Sequence, residues 1–374
     1  MSKLNWKKVI GWAVAALVVI GVVGTNMYNL QSEKKENELI VAVNIPLSGP
    51  IAVFSGPYAK GLEMGVKDEL KAQNLPENSV RFLMGDNQGQ AMTAATLLKQ
   101  QELNDYDVYI AGTSEMASAV VDSVNHERPF IIVAMDENMT LKYNNNLRVF
   151  ANGSLMVDNL YKLIENKKPK KVSVIMGCPS GQKIADEKTI PFLKSKGIDY
   201  KKEYFEFGFR EFRSVALKVK EYQPDLILMH MYSSELERMI SALREYDLIK
   251  DENTYASIDA VDLIEAKNQK VLKDIIFDMT EYTKNQDKEF VESYQQKYHN
   301  EPTYGAAYGY DLGRLIVKAW VKSGKVTPET IIAQTPYDGV TGHLVMNPKT
   351  RDLISTQILG TLDKDGKVIE WKGE

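Results

Sequence analysis

From Leu39 onward, short β-branched runs alternate with longer stretches in which apolar residues recur at helical spacing. Such alternation is the signature of parallel strands joined by crossover helices. Strands are predicted at Leu39–Ile45, Val80–Met84, Val108–Ile110 and Phe130–Ala134, each apolar enough for burial on both faces. Helices fall between them near Pro57–Leu70, Met92–Leu103 and Ser114–Asn125. A second series places strands at Lys171–Met176, Glu203–Phe207, Leu226–Met231, Thr254–Ser257 and Ile275–Met279. Its helices lie near Leu155–Glu165, Ile184–Ser195, Phe212–Glu221 and Ser234–Glu245. Two such series predict two α/β lobes. The chain then turns helical through Asp287–Lys297 and Tyr304–Ser323 and ends in short strands near His343–Met346, Ser355–Leu362 and Val368–Trp371. Ser234 with Glu237 predicts a capping box, and Thr327-Pro328 sets a capping hydroxyl before a first-turn proline.

The segment ahead of Leu39 has a different pattern. Lys3, Lys7 and Lys8 precede the uncharged run Val9–Gly24, and charge returns only at Glu33. This reads as an export signal, either a cleaved signal peptide or an uncleaved membrane anchor within residues 1–30, with the positive flank on the cytoplasmic side. No cysteine directly follows the run, which excludes a lipoprotein anchor. Residues 31–38, polar and charged, read as a tether.

Composition narrows the function. The 374 residues are 44% hydrophobic and 26% charged, an ordinary globular balance for two domains. A formal net charge of −4 argues against a nucleic-acid partner, which would draw on a basic excess. The single cysteine, Cys178, cannot form an internal disulfide, and His126, His230 and His343 have no metal-ligand spacing. No metal or cofactor is expected. Asn138-Met-Thr and Asn152-Gly-Ser match the glycosylation sequon by chance frequency, and Cys178 has no evident partner base.

Five fragments carry a resemblance. Val43-Asn44-Ile45-Pro46-Leu47-Ser48-Gly49-Pro50, followed by Gly56 and Gly61-Leu62-Glu63-Met64-Gly65, resembles the opening of the type I periplasmic binding proteins of the branched-chain amino acid (leucine/isoleucine/valine-binding) group. Asp86-Asn87-Gln88, Thr113-Ser114 through Ala119-Val120, Tyr308-Gly309-Tyr310-Asp311, and Tyr337-Asp338-Gly339-Val340-Thr341-Gly342 follow in the order of that family. The resemblance implies two doubly wound parallel-sheet lobes hinged by three crossovers, with a ligand in the cleft between them. Crossovers are expected near Phe150–Ser154, Thr280–Lys284 and Thr335–Gly339, which assigns residues 39–151 and 282–336 to the N-terminal lobe and 152–281 and 337–374 to the C-terminal lobe. Open parallel sheets independently favour a site at the carboxyl ends of their strands.

The same resemblance implies site residues. Ser114, at a helix start, corresponds to the serine that holds a ligand α-carboxylate; Asp259 corresponds to the acid that pairs with the ligand ammonium. Tyr232 and Phe54 correspond to aromatics of the cleft. Two departures bear on the ligand. After Phe130–Ala134 the family has small residues and a hydroxyl, where this chain has Met135-Asp136-Glu137-Asn138. Glu137 beside a carboxylate pocket would repel a plain α-amino acid, so a cationic or amide-bearing ligand is expected if it faces the cleft. Pro179-Ser180-Gly181 replaces the family's aromatic before a glycine and predicts a more open or polar wall. The function expected is an extracytoplasmic solute-binding protein that passes a small polar ligand to an ABC transporter permease. The alternative is a membrane-tethered sensing ectodomain of the same fold. An enzyme is not expected, since no nucleophile elbow, phosphate loop or metal cluster accompanies Asp136, Glu137 and Asp259.

Overall fold

The computed structural model describes residues 34–373 apart from positions 36, 50, 136, 207 and 266, with the side chains of 137 and 265 also outside the description. The expected signal or anchor in residues 1–30 lies outside the described residues. Among the described residues no helix is long and apolar enough to cross a membrane. The end of the expected tether is docked on the body: Lys34 pairs with Asp107 at 2.6 Å, and Glu38 with Arg81 at 3.1 Å.

Fifteen strands build two sheets among the described residues. The first holds β1 (Leu39–Ile45), β2 (Val80–Asp86), β3 (Val108–Gly112), β4 (Phe130–Val133), β5 (Asn146–Val149), β11 (Tyr337–Gly339), β12 (Gly342–Asn347) and β13 (Asp352–Ile354). The second holds β6 (Lys171–Met176), β7 (Asp199–Tyr204), β8 (Leu226–His230), β9 (Thr254–Ala256), β10 (Ile275–Thr280), β14 (Gln357–Leu362) and β15 (Val368–Glu370). Their orders are β11-β12-β13-β5-β4-β3-β1-β2 and β15-β14-β10-β9-β8-β6-β7. Both are doubly wound, parallel at the centre and antiparallel at one margin, with β1 between β2 and β3 and β6 between β7 and β8.

Burial on both faces explains the continuous apolar runs. Leu39, Val41, Val43 and Ile45 of β1 enter one core cluster, and Ile40 and Ala42 enter a separate one across the sheet. Each buried Leu, Val or Ile side chain among them contributes roughly 1.5–3 kcal/mol relative to exposure. The helix Ala52–Ala72 packs on the helix Tyr304–Ser323 so closely that a Cβ at Gly61 would overlap the carbonyl of Ala306, and one at Gly309 the carbonyl of Tyr58. Buried Glu69 locks this pair by accepting from Arg314 at 2.8 Å and Lys318 at 3.0 Å.

Two of the sequence fragments are structural partners. The Asp311 carboxylate accepts from the backbone N–H groups of Val340 (3.0 Å) and Thr341 (2.9 Å), fixing the β11–β12 turn. Gly339 is required there because a Cβ would collide with that carboxylate.

The third crossover differs from expectation. β11, β12 and β13 remain in the first sheet, and β13 pairs with β5, so the chain passes to the second sheet at Ser355–Thr356 rather than at Thr335–Gly339. Turn-forming residues in Tyr337–Gly342 mark a hairpin, which the local pattern does not distinguish from a lobe change. β5 was not predicted because its buried run contains Asn146 and Arg148. β7 lies at Asp199–Tyr204 instead of Glu203–Phe207; as an edge strand with two lysines its outward face erases the apolar signal. The box expected from Ser234 and Glu237 does not form, since the helix starts at Ser233 with Tyr232 as its uncapped N-cap. Thr327 does cap its helix, in a box with Thr330.

Candidate functional site

In each sheet the chain reverses its winding direction at one point, between β1 and β3 in the first and between β6 and β8 in the second. Helices leaving the neighbouring strands there diverge to opposite faces, and the crevice at the strand carboxyl ends is open to a ligand. The loops after β1, β3, β4, β8 and β9 converge on a cavity of about 370 Å³ between the lobes. A second compartment of about 240 Å³ adjoins it, sharing Ser114, Glu115, Met135 and Ser180.

Five expected site residues line the larger compartment: Phe54, Ser114 and Met135 from the first lobe, Tyr232 and Asp259 from the second. Glu137 lies in the turn Glu137–Leu141, but its side chain is outside the described residues; its neighbour Asn138 lines the smaller compartment. The wall expected to be open at Pro179-Ser180 borders the smaller compartment, with Ser180 reaching both.

Local structure fixes each of these groups. Ser114 begins the short helix Ser114–Val120, directly after β3. Phe54 sits in the first turn of Ala52–Ala72 and packs edge-on against Phe150 with ring centres 4.9 Å apart, and against Tyr304 at 5.6 Å. Phe150 follows β5 at the first crossover, so the aromatic floor of the cavity is built at the hinge itself.

Asp259 follows β9 and accepts from the Ser257 hydroxyl at 2.7 Å. Behind it stands His230 at the end of β8, with Nε2 3.6 Å from the carboxylate. Burial opposes a charge on that imidazole, but Cys178 beside it and the carboxylates of Asp259 and Asp278 outweigh burial and push its pKa up to about 9. Cys178 is buried and lies against His230, a neighbour invisible in sequence. Asp262 lines the same compartment in the helix Ala260–Glu265; burial and the charge of Asp259 push it up to about 7. The Tyr232 hydroxyl is driven up by burial and by Glu115, Asp259 and Glu235, which places acids of both lobes within electrostatic reach of one ring.

Glu115, Phe150, Tyr304, Ser233 and Asp262 also line the cavity and are not among the residues expected from the sequence. Glu115 was findable, as the acid next to a serine at a strand's carboxyl end. The aromatics were not, because Phe150 at the first crossover and Tyr304 at the start of the helix Tyr304–Ser323 meet Phe54 from far along the chain. Among the described residues no group of three or more His, Cys, Asp or Glu could hold a metal ion.

Two doubly wound lobes with a cavity at both switch points define a bilobal binding-protein architecture. The chain belongs to the periplasmic binding protein family, whose model matches residues 38–367. No curated protein matches it in sequence. Similar solved structures include a leucine binding protein, LivK, from Thermotoga maritima, with 18% identity over 89% of this chain and 98% of that one and a TM-score of 0.74. The branched-chain amino acid transporter substrate binding protein LivJ of Streptococcus pneumoniae, in complex with isoleucine, has 18% identity over 88% and 97% and a TM-score of 0.72. A solute binding protein of an ABC transporter from Rhodopseudomonas palustris, in complex with 3,4-dihydroxy benzoic acid, has 17% identity over 90% and 97% and a TM-score of 0.74. The fold class expected from the fragments is therefore the one observed.

Proposed function

We propose that this chain is an extracytoplasmic solute-binding protein that holds a small polar ligand between its lobes and presents it to an ABC transporter permease. One observation carries the reading: Phe54, Ser114 and Met135 of one lobe and Tyr232 and Asp259 of the other line a single cavity at the two switch points. The family supports a location outside the cytoplasmic membrane, and the relatives' ligands, isoleucine and an aromatic acid, support small solutes as the class. Ser114 offers a hydroxyl and Asp259 a carboxylate to the ligand, Tyr232 and Phe54 its apolar faces. Three strands of chain link the lobes, at Phe150–Asn152, after Thr280 and at Ser355–Thr356, and let them rotate without breaking either core.

Small-angle scattering tests this reading. The radius of gyration should fall on saturation with a ligand of established affinity. An unchanged radius would remove the closing cleft from the proposal.

A further inference from the structure

The larger compartment is charged in one sense. Glu115 enters it from the first lobe and Asp259 and Asp262 from the second, while no lysine or arginine is among its described lining residues. His230 stands behind Asp259, with Nε2 3.6 Å from its carboxylate, and lines a separate small void rather than the compartment. Lys183 and Lys188 border only the adjoining compartment, where the Lys188 ammonium donates to the Ser154 hydroxyl at 2.6 Å. Around the acids stand four aromatic rings, Phe54, Phe150, Tyr232 and Tyr304. Aromatic faces attract cations and accept apolar ligand surface.

The position of Glu115 decides what the first lobe can accept. It lies in the first turn of the helix begun by Ser114, and the Thr113 hydroxyl donates to its Oε2 at 3.0 Å. The chain thus supplies its own carboxylate beside the group that would otherwise receive a ligand carboxylate. A second carboxylate there would meet like charge in a partly desolvated site. On the second wall burial and the charge of Asp259 push Asp262 up to about 7, and a positive ligand between the walls offsets the cost of ionising both carboxylates.

Building on the solute-binding reading above, we infer that the cleft takes an organic cation, an amine or amidinium compound with no carboxylate next to its charged nitrogen. The nitrogen lies between Glu115 and the Asp259–Asp262 pair, and the carbon skeleton lies on the aromatic rings.

Titration calorimetry on the full-length chain with putrescine, agmatine, choline and benzylamine, set against leucine, arginine and benzoate, tests this. At least one carboxylate-free amine should bind about tenfold or more tightly than any of the three carboxylates. Glu115→Gln should weaken that amine about tenfold or more. Asp262→Asn should weaken it as well, and neither variant should lower the unfolding temperature by more than a few degrees. Tighter binding of leucine, arginine or benzoate, or amine binding indifferent to both variants, overturns the inference. The two readings fail separately: carboxylates bound and amines refused leave the solute-binding reading in place, whereas no binding by any probe, with no change in scattering, removes both.

Discussion

Buried carboxylates serve two regions of this molecule in opposite ways. At the hinge, Asp352 is paired with Arg148 at 2.5 Å, and Arg148, fully buried, also donates to the carbonyls of Ala134 (2.6 Å) and Ala151 (2.8 Å). Asp352 further accepts from the Asn152 side chain, while the Asn152 backbone N–H donates to Gln357 at 2.6 Å. Asp278 accepts from Asn159 at 3.0 Å and from the Tyr255 hydroxyl. Arg148, Asp352 and Asn152 fix the first crossover, and Asp278 joins β10 to β9 and to the helix Gly153–Lys167 within the second lobe. In the cleft, the partners of Glu115, Asp259 and Asp262 among the described residues are hydroxyls and the imidazole behind Asp259. Carboxylates satisfied by protein hold the frame; carboxylates left facing a cavity are held ready for something from outside.

Substitutions at the hinge and in the cleft should therefore differ in what they cost. Arg148→Leu should have the largest effect, destabilising the fold by about 3–5 kcal/mol in urea unfolding, since Asp352 would remain buried without its cation. A loss below about 1 kcal/mol would mean that the hinge carboxylate is no more structural than those of the cleft.

His230 lies 3.6 Å from Asp259 and also feels the charge of Asp278, and its raised pKa makes stability depend on pH. A histidine whose folded pKa, about 9, exceeds its unfolded value of 6.5 contributes stability that is fully present below pH 6.5 and lost as pH rises through 9. The loss should be on the order of 3 kcal/mol. Asp262 and Asp278, both pushed up to about 7 mainly by burial, favour the protonated folded state and add to the decline from pH 4 to 7. Thermal unfolding followed from pH 5 to 9 should therefore fall throughout, and His230→Gln should flatten the portion above pH 7. An unchanged slope in that variant would show that the imidazole is neutral in the fold.

Asp259→Asn should weaken a cationic ligand by about 1.5–3 kcal/mol in calorimetry, because a charge-assisted bond becomes a neutral one. Its effect on folding should be far smaller than that of Arg148→Leu. Ser114→Ala comes last, at about 0.5–1.5 kcal/mol in binding, the worth of one neutral hydrogen bond. If neither change weakens binding, both residues leave the site.

How much of the site was legible follows from where its residues sit. Ser114, Tyr232 and Asp259 each follow a strand that the apolar pattern marks, so their place at a carboxyl end could be read along the chain. Arg148 hid β5, because a charged residue at the middle of a sheet looks like a loop until Asp352, more than 200 positions on, is seen to neutralise it. The turn at Tyr337–Gly342 concealed the true crossover for the same reason: its meaning lies in its contact with Asp311.

Pattern along the chain suffices for the two βα series, most strand positions and the end of the sheets at which a ligand could enter, since these depend on local periodicity and on a handedness shared by all such sheets. Which carboxylates are paired with a protein cation is set by contacts between distant segments. Those contacts separate the Arg148–Asp352 pair from Glu115 and Asp262, which have hydroxyl partners and no cation among the described residues, and they depend on distances between segments far apart in the chain, which local pattern does not encode.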